Sequence, residues 1–364
     1  MRMYRKHAGV LAGLLALSLV AAACGGDDEP GTGGTTDGGT PELEGSITIS
    51  GSSTVEPISS IVAEIFNETN PNVAITVDGP GTGDGFELFC NAEPGVWDAT
   101  DASRAIEDDE AANCVTNAIE YTELNVGIDG LTVVANKASK IKCLSFNDLY
   151  ALFGPESGGG SVDIADAQAL AEELGGSQLP TGGKVQKFTP GPESGTYDSF
   201  FDIAYSDIME ERLAAGSIPA ENVGTNDEGE EEVTEPIISA AQFPNDNEIV
   251  KRVEGAKNGI GFFGFAYFQE NKEGLKAIPI ENPETGECVK PTAKSIQTAD
   301  YPIARPLFVY IDNAKVASNA TFKDYLDSLI NTQALKSTVK DAGYVPNSAA
   351  DITATVETYE AVAG

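Results

Sequence analysis

The sequence predicts an α/β protein of two lobes with a largely parallel sheet. Three observations lead there: strand-like and helix-like segments alternate from Ile47 onward, two strongly β-like segments lie far apart like strands linking two bodies, and of 364 residues the 341 that follow a 23-residue N-terminal signal suffice for two cores. In order, SITISG alternates at Ile47 and Ile49 as a strand, and Thr54 is placed to cap the helix that follows. That helix carries Ile58, Ile61, Val62, Ile65 and Phe66 at helical spacing, with Pro57 in its first turn and Asn70-Pro71 as its stop. VAITV at 73–77 is a second strand, followed by the loop GPGTGDG at 79–85 and a helix from Phe86. DGLTVVAN at 129–136 and RPLFVYI at 305–311 are the linking strands. Between them, helical patterns at Ser145 to Phe153, Asp198 to Ala204 and Asn247 to Glu254 alternate with strand-like GIGFFG at 259–264 and AIPI at 277–280. PESGGGS near 155 is a loop, and the acidic run from Asp227 to Glu235 is a solvated segment. From about Asn319 the pattern is helical and returns to the first lobe, and no internal repeat is visible.

The N-terminus MRMYRKHAGVLAGLLALSLVAAAC has a basic head, an apolar stretch and small residues, the build of a secretory signal over 1–23 rather than of a spanning helix. Ala21, Ala22 and Ala23 before Cys24 resemble a bacterial lipobox, which favours lipidation at Cys24 over ordinary cleavage. The Gly/Thr/acidic tether that follows, over 24–44, packs nothing apolar before Leu43. Loss of Arg2, Arg5 and Lys6 with the signal takes the formal charge from −35 to −38, which argues against nucleic acid and anionic membrane surfaces as partners. The only histidine, His7, lies in the signal, so the mature chain has no Ser-His-Asp or Cys-His activation and lacks the commonest zinc ligand. Cys90, Cys114, Cys143 and Cys288 remain, an even number in an exported chain, and predict disulfides. Of three pairings, Cys90 with Cys114 and Cys143 with Cys288 is preferred, because the first two flank one compact segment and the others bracket a later lobe. A metal site is the weaker alternative, and neither metal nor cofactor is expected.

Three stretches share one character: SGSST at 50–54, GPGTG at 79–83 and PESGT at 192–196 each set Ser or Thr among glycines before a predicted helix. Glycine admits close backbone approach, hydroxyls donate, and helix N-termini offer unpaired N–H groups to anions. Singly each is no more than a cap or a turn; converging, they would form a donor-rich anion pocket. GPGTGDG is not a dinucleotide fingerprint, since Asp84 replaces the third glycine. DASRAI at 101–106 adds Arg104, either a surface ion-pair partner or a guanidinium gripping a tetrahedral oxyanion by two bonds. Trp97 is read as core rather than lining.

In order along the chain, GSSTVEPI, GTGDGFELFC, DASRAIEDDE, DGLTVVAN, PESGTYDSFFD, GIGFFGFAYF and YPIARPLFVYI resemble the phosphate-binding receptors of Pst phosphate ABC importers, in blocks from about Gly51 to Ile311. The resemblance implies a two-lobed class II periplasmic-binding-protein fold with the ligand cleft between lobes at 45–130 and 131–304, and with 305–364 returning to the first. It implies phosphate ligands Ser53, Thr54, Thr82, Ser103, Arg104, Ser194, Gly195 and Thr196. It implies inorganic phosphate and membrane permease subunits as partners, an extracytoplasmic, lipid-anchored location and a monomeric receptor. Several relatives have a carboxylate about where Ser103 stands, to accept the proton of hydrogen phosphate, and an arginine where this chain has Thr189 and Pro190. Arg104 replaces that arginine, and Ser103, Asp101 or Asp84 is left to accept the proton.

Two other classes compete. A phosphate-ester hydrolase would need an activated nucleophile or clustered metal ligands, for which the sequence offers no pattern. A receptor for another oxyanion, such as sulfate, molybdate or a phosphonate, would use the same donors.

Overall fold

The computed structural model describes residues 43–91, 96–177, 179, 182–192, 194–225, 231–234 and 237–364. The expected signal, Cys24 and most of the tether lie outside these residues, as does much of the acidic run. Glu42–Gly364 form one compact unit. Among the described residues no helix is long and apolar enough to cross a membrane.

Gly45–Gly51 (β1), Glu56–Thr69 (α1), Val73–Asp78 (β2), Thr82–Asn91 (α2) and Ala99–Ala102 (β3) alternate as the sequence predicts, and β1 pairs in parallel with both β2 and β3. Asp108–Thr116 (α3) then leads to the 16-residue strand Tyr121–Asn136 (β4). The sheet runs β2, β1, β3, Ala304–Asp312, β4, Gly259–Gly264, Lys184–Thr189, Ser161–Asp163. It is mixed rather than largely parallel: Ala304–Asp312 is antiparallel to β3 and β4, and Gly259–Gly264 is antiparallel to β4. The reason is topological. The chain leaves the first lobe along β4 and comes back along Ala304–Asp312, so the two passages run in opposite directions.

Those two strands carry the lobes' cores. Leu124 and Val126 of β4 sit with Ile47, Val62, Phe66, Phe322 and Tyr325, whereas Leu131, Val133 and Val134 sit with Phe153, Phe200, Ile260 and Phe262. In the return strand the period of two divides neighbours between cores: Leu307, Val309 and Ile311 join the first, while Phe308 and Tyr310 join a smaller cluster of Phe86, Phe89, Cys90 and Cys114. A strand buried on both faces reads as the continuous apolar run LFVYI. Trp97 packs against this smaller cluster, on the core side as expected.

Disulfides join Cys90 to Cys114 and Cys143 to Cys288. The first ties α2 to α3 within the smaller cluster, and the second ties segments 145 residues apart in the second lobe. GIGFFG forms its strand as predicted, but AIPI does not. Strands there run Leu275–Ala277 and Ile280–Glu281, pairing with β4 and with Cys288–Val289. The C-terminal helices contribute Leu326, Leu335, Val339 and Ile352 to the first core.

The second core centres on Phe262 of Gly259–Gly264, which stacks on Phe200 with ring centroids 3.8 Å apart and an interplanar angle of 8°. Both rings are fully buried. Phe262→Ala should therefore destabilise the chain by about 3–5 kcal/mol in urea unfolding. A loss under about 1 kcal/mol would mean that this stack does not organise the lobe.

Candidate functional site

A cleft of about 790 Å³ lies where the first and second lobes meet the return strand. Ser52, Ser53, Thr54, Gly81, Thr82, Ser103 and Arg104 line it from the first lobe, Asp198, Phe201 and Asp202 from the second, and Arg305 and Pro306 from the return strand.

Three helix starts bring these groups together. Gly51 ends β1 with φ +146°, and a Cβ there would stand 2.1 Å from the Asp101 carbonyl oxygen, so only glycine lets β1 approach β3 closely enough for the Ser52 N–H to reach that carbonyl at 2.8 Å. Thr54 does not cap α1. The N-cap is Val55 in αR conformation, and no side chain caps the helix. The Thr54 hydroxyl is turned toward Ser199 and Arg305 instead, 3.3 Å from each. Helix α2 begins at Thr82, not Phe86, and its first residue accepts the Ser103 N–H at 3.2 Å and pairs with the Ser103 hydroxyl at 3.0 Å. Ser194 caps the helix Gly195–Ala204, accepting from the Thr196 N–H at 3.3 Å. Gly195 lies against Thr54: a Cβ would stand 3.2 Å from both its Cα and its hydroxyl oxygen. The predicted residues Ser53, Thr54, Thr82, Ser103 and Arg104 thus share one cleft wall, and Ser194, Gly195 and Thr196 open the helix that meets it at Thr54.

Arg104 reaches the cleft already engaged. Glu110 accepts two bonds from its guanidinium, at 2.8 and 2.7 Å, and Glu107 lies 3.2 Å from Nε. The cause is local: Glu107 and Glu110 form the capping box of α3, which fixes both carboxylates beside residue 104. The bonds it donates to Glu110 raise the guanidinium's pKa and keep it charged. Arg104 is ion-paired, as its first reading expects, and it also lines the cleft.

The carboxylates expected near the ligand are elsewhere. Asp84 faces a separate outer hollow with Pro80, Glu87 and Leu88. Asp101 is 1 % exposed, beneath the wall, where one carboxylate oxygen accepts from Ser59 at 3.0 Å and the other is buried without a hydrogen-bond partner. Burial pushes its carboxyl up to about 7, the Ser59 bond pulls it down, and Glu56 adds repulsion. The carboxylates that line the cleft are Asp198 and Asp202.

The residue that sequence reasoning missed is Arg305. Among the described arginines, Arg104 and Arg305 line the cleft. Arg305 Nη1 donates to Asp202 at 3.0 Å, and Nη2 donates to Ser199 at 2.6 Å and to Thr54 at 3.3 Å. Opposite it in the sheet is Asp129, buried, its carboxyl raised by burial and lowered by Arg305 and Ser199. The signal available was a single charge entering the otherwise apolar strand ARPLFVYI.

Two lobes closing on a cleft of hydroxyls, glycine backbone and two arginines define a solute-binding protein, and the comparisons agree. The PBP superfamily domain matches residues 30–331. Protein SphX of Synechococcus elongatus is 31 % identical over 86 % of this chain and 81 % of its own length. The phosphate-binding protein PstS of Staphylococcus haemolyticus is 31 % identical over 91 % of this chain and 90 % of its own. A crystal structure of a possible phosphate binding protein from Planctomyces limnophilus superposes with a TM-score of 0.70 at 29 % identity, covering 88 % of this chain and all of that one. The chain belongs to the PBP superfamily and, within it, to the family of PstS phosphate-binding proteins.

Asp101 sets a pH dependence. The folded chain holds its proton up to about pH 7, while an unfolded aspartate releases it near 3.8, so its contribution to stability is full below about 4 and is lost as pH rises through 7. Relative to wild type, Asp101→Asn should gain about 2–3 kcal/mol in urea unfolding between pH 5 and pH 8. A difference that stays constant with pH would contradict this account of the buried carboxyl.

Proposed function

We propose that this chain is an extracytoplasmic receptor that captures inorganic phosphate and delivers it to the permease subunits of an ABC importer. The convergence of donors carries the reading: Thr54, Thr82, Ser103 and Arg104 face one cleft, with Arg305 at its edge. A tetrahedral oxyanion needs many short donor contacts from several directions, and hydroxyls, helix starts and guanidinium groups supply them. The names of the curated relatives point to the same ligand.

The net acidity of the chain does not oppose this. Charges beyond about 8 Å are largely screened at physiological ionic strength, whereas the cleft donors act at contact distance. Phosphate would be held by Ser53, Thr54, Thr82, Ser103 and Arg104 from one lobe and by Ser194, Gly195 and Thr196 from the other. The cleft volume far exceeds one small anion, which calls for hinge closure about the two crossing strands, with lobes at 45–130 and 131–304 and the return at 305–364. Cys24 would carry the lipid after removal of 1–23 and hold a monomeric receptor on the membrane through the tether. The receptor role is binding without turnover, since the mature sequence has no histidine and Ser103 and Thr82 bond to each other rather than to a base.

Titration calorimetry of the mature chain should show one phosphate bound per molecule, with sulfate bound more weakly. Arg104→Ala should weaken phosphate roughly 10- to 100-fold while the melting curve stays cooperative. No phosphate binding, or equal affinity for sulfate, would sink the reading, and turnover of a chromogenic phosphate ester would favour a hydrolase.

A further inference from the structure

Arg305 belongs to neither lobe's site motif, yet it touches both lobes. It projects from the return strand, paired opposite Asp129 of β4. Its guanidinium holds Thr54 on the first lobe and Ser199 and Asp202 on the second-lobe helix Gly195–Ala204. Its side chain is only 14 % exposed. At Gly195 the helix backbone abuts Thr54 directly.

We propose, resting on the phosphate reading above, that Arg305 is a positioning residue that orients the Thr54 hydroxyl to donate its proton to the bound oxyanion. Proton counting fixes the direction of these bonds. A hydroxyl has one proton and two lone pairs, whereas arginine has donors only, so a hydroxyl that accepts from arginine must direct its own proton elsewhere. Ser199 accepts from Arg305 and interacts with Asp129, whose buried carboxyl is raised by burial and pulled back down by Arg305 and Ser199. Thr54 also accepts from Arg305. For its own proton it has the neutral Ser199 oxygen, at the same 3.3 Å as the Arg305 contact, or an acceptor in the cleft. An anionic oxygen is the stronger acceptor, so phosphate exchanges a weak contact for a charge-assisted bond. Asp202, half exposed at the cleft, holds the other face of the guanidinium at 3.0 Å and keeps Nη2 aimed at the two hydroxyls. The consequence is direction: with one lone pair taken by Arg305, Thr54 meets a phosphate oxygen as a donor.

A double-mutant cycle on phosphate affinity tests this. Thr54→Val, isosteric without the hydroxyl, and Arg305→Lys, which keeps the charge but cannot reach three partners, should each weaken phosphate roughly 10- to 100-fold. The double variant should lie within about threefold of the weaker single variant, because both changes remove the same bond. Melting curves establish that each variant is folded, and Arg305→Gln repeats the cycle if the lysine variant is not. Multiplying effects in the double variant, or wild-type affinity in Arg305→Lys, would overturn the inference and leave the phosphate reading standing. A wild-type chain that binds no phosphate would overturn both.

Discussion

The antiparallel pairing of Tyr121–Asn136 with Ala304–Asp312 is the constraint on which the rest of the structure depends. Each strand is long enough to leave one core and reach the next, and their pairing is the sheet continuity between the lobes. Leu124 and Val126 anchor one end of the crossing strand in the first core and Leu131 to Ala135 anchor the other end in the second. The register also sets Arg305 opposite Asp129, so the only charged pair in this stretch of the ladder falls at the mouth of the cleft. A register slip of one residue would send Arg305 to the opposite face and break that arrangement.

From that frame the cleft acquires its chemistry by orientation rather than by net charge. With 57 acidic and 22 basic side chains, the molecule offers anions no long-range attraction, and the cleft must bind them at contact. Glycine makes the contact geometry available: Gly51 draws β1 against β3, Gly85 lies so close to Gly51 that a Cβ would meet its Cα at 2.4 Å, and Gly195 seats the second lobe on Thr54. Each of these glycines serves close packing, and the hydroxyls follow from where the backbone is thereby placed. Arg104 is neutralised by Glu110 and Arg305 by Asp202, which limits the local positive charge and leaves recognition to hydrogen-bond direction.

Much of the fold was legible because its signals are local. Periodicity located α1, β2 and Gly259–Gly264, and the two crossing strands stood out as apolar runs. The start of α2 was not legible, because Thr82, Gly83, Asp84 and Gly85 carry turn chemistry, and only the neighbouring Gly51 explains why glycine sits inside that helix. The clustering of Thr54, Thr82, Ser103 and Arg104 followed from the motifs. Their partners did not. Thr54 meets Ser199 across 145 positions and Arg305 across 251, distances at which no sequence spacing speaks. The carboxylates show the same limit: Asp101 and Asp84 are near the motif in sequence, but strand alternation and the outer face of α2 turn them away, while Asp198 and Asp202 come from the other lobe.

The central claim is that one tetrahedral oxyanion is held between the lobes by the hydroxyls and helix starts of this cleft. A crystal structure of the mature chain grown with arsenate, located by its anomalous signal, tests it most directly. The account predicts a single site within hydrogen-bond reach of Thr54, Ser103 and Arg104, with the helix Gly195–Ala204 presenting its first turn to the same anion. An empty cleft, or an arsenate bound away from those residues, would contradict it.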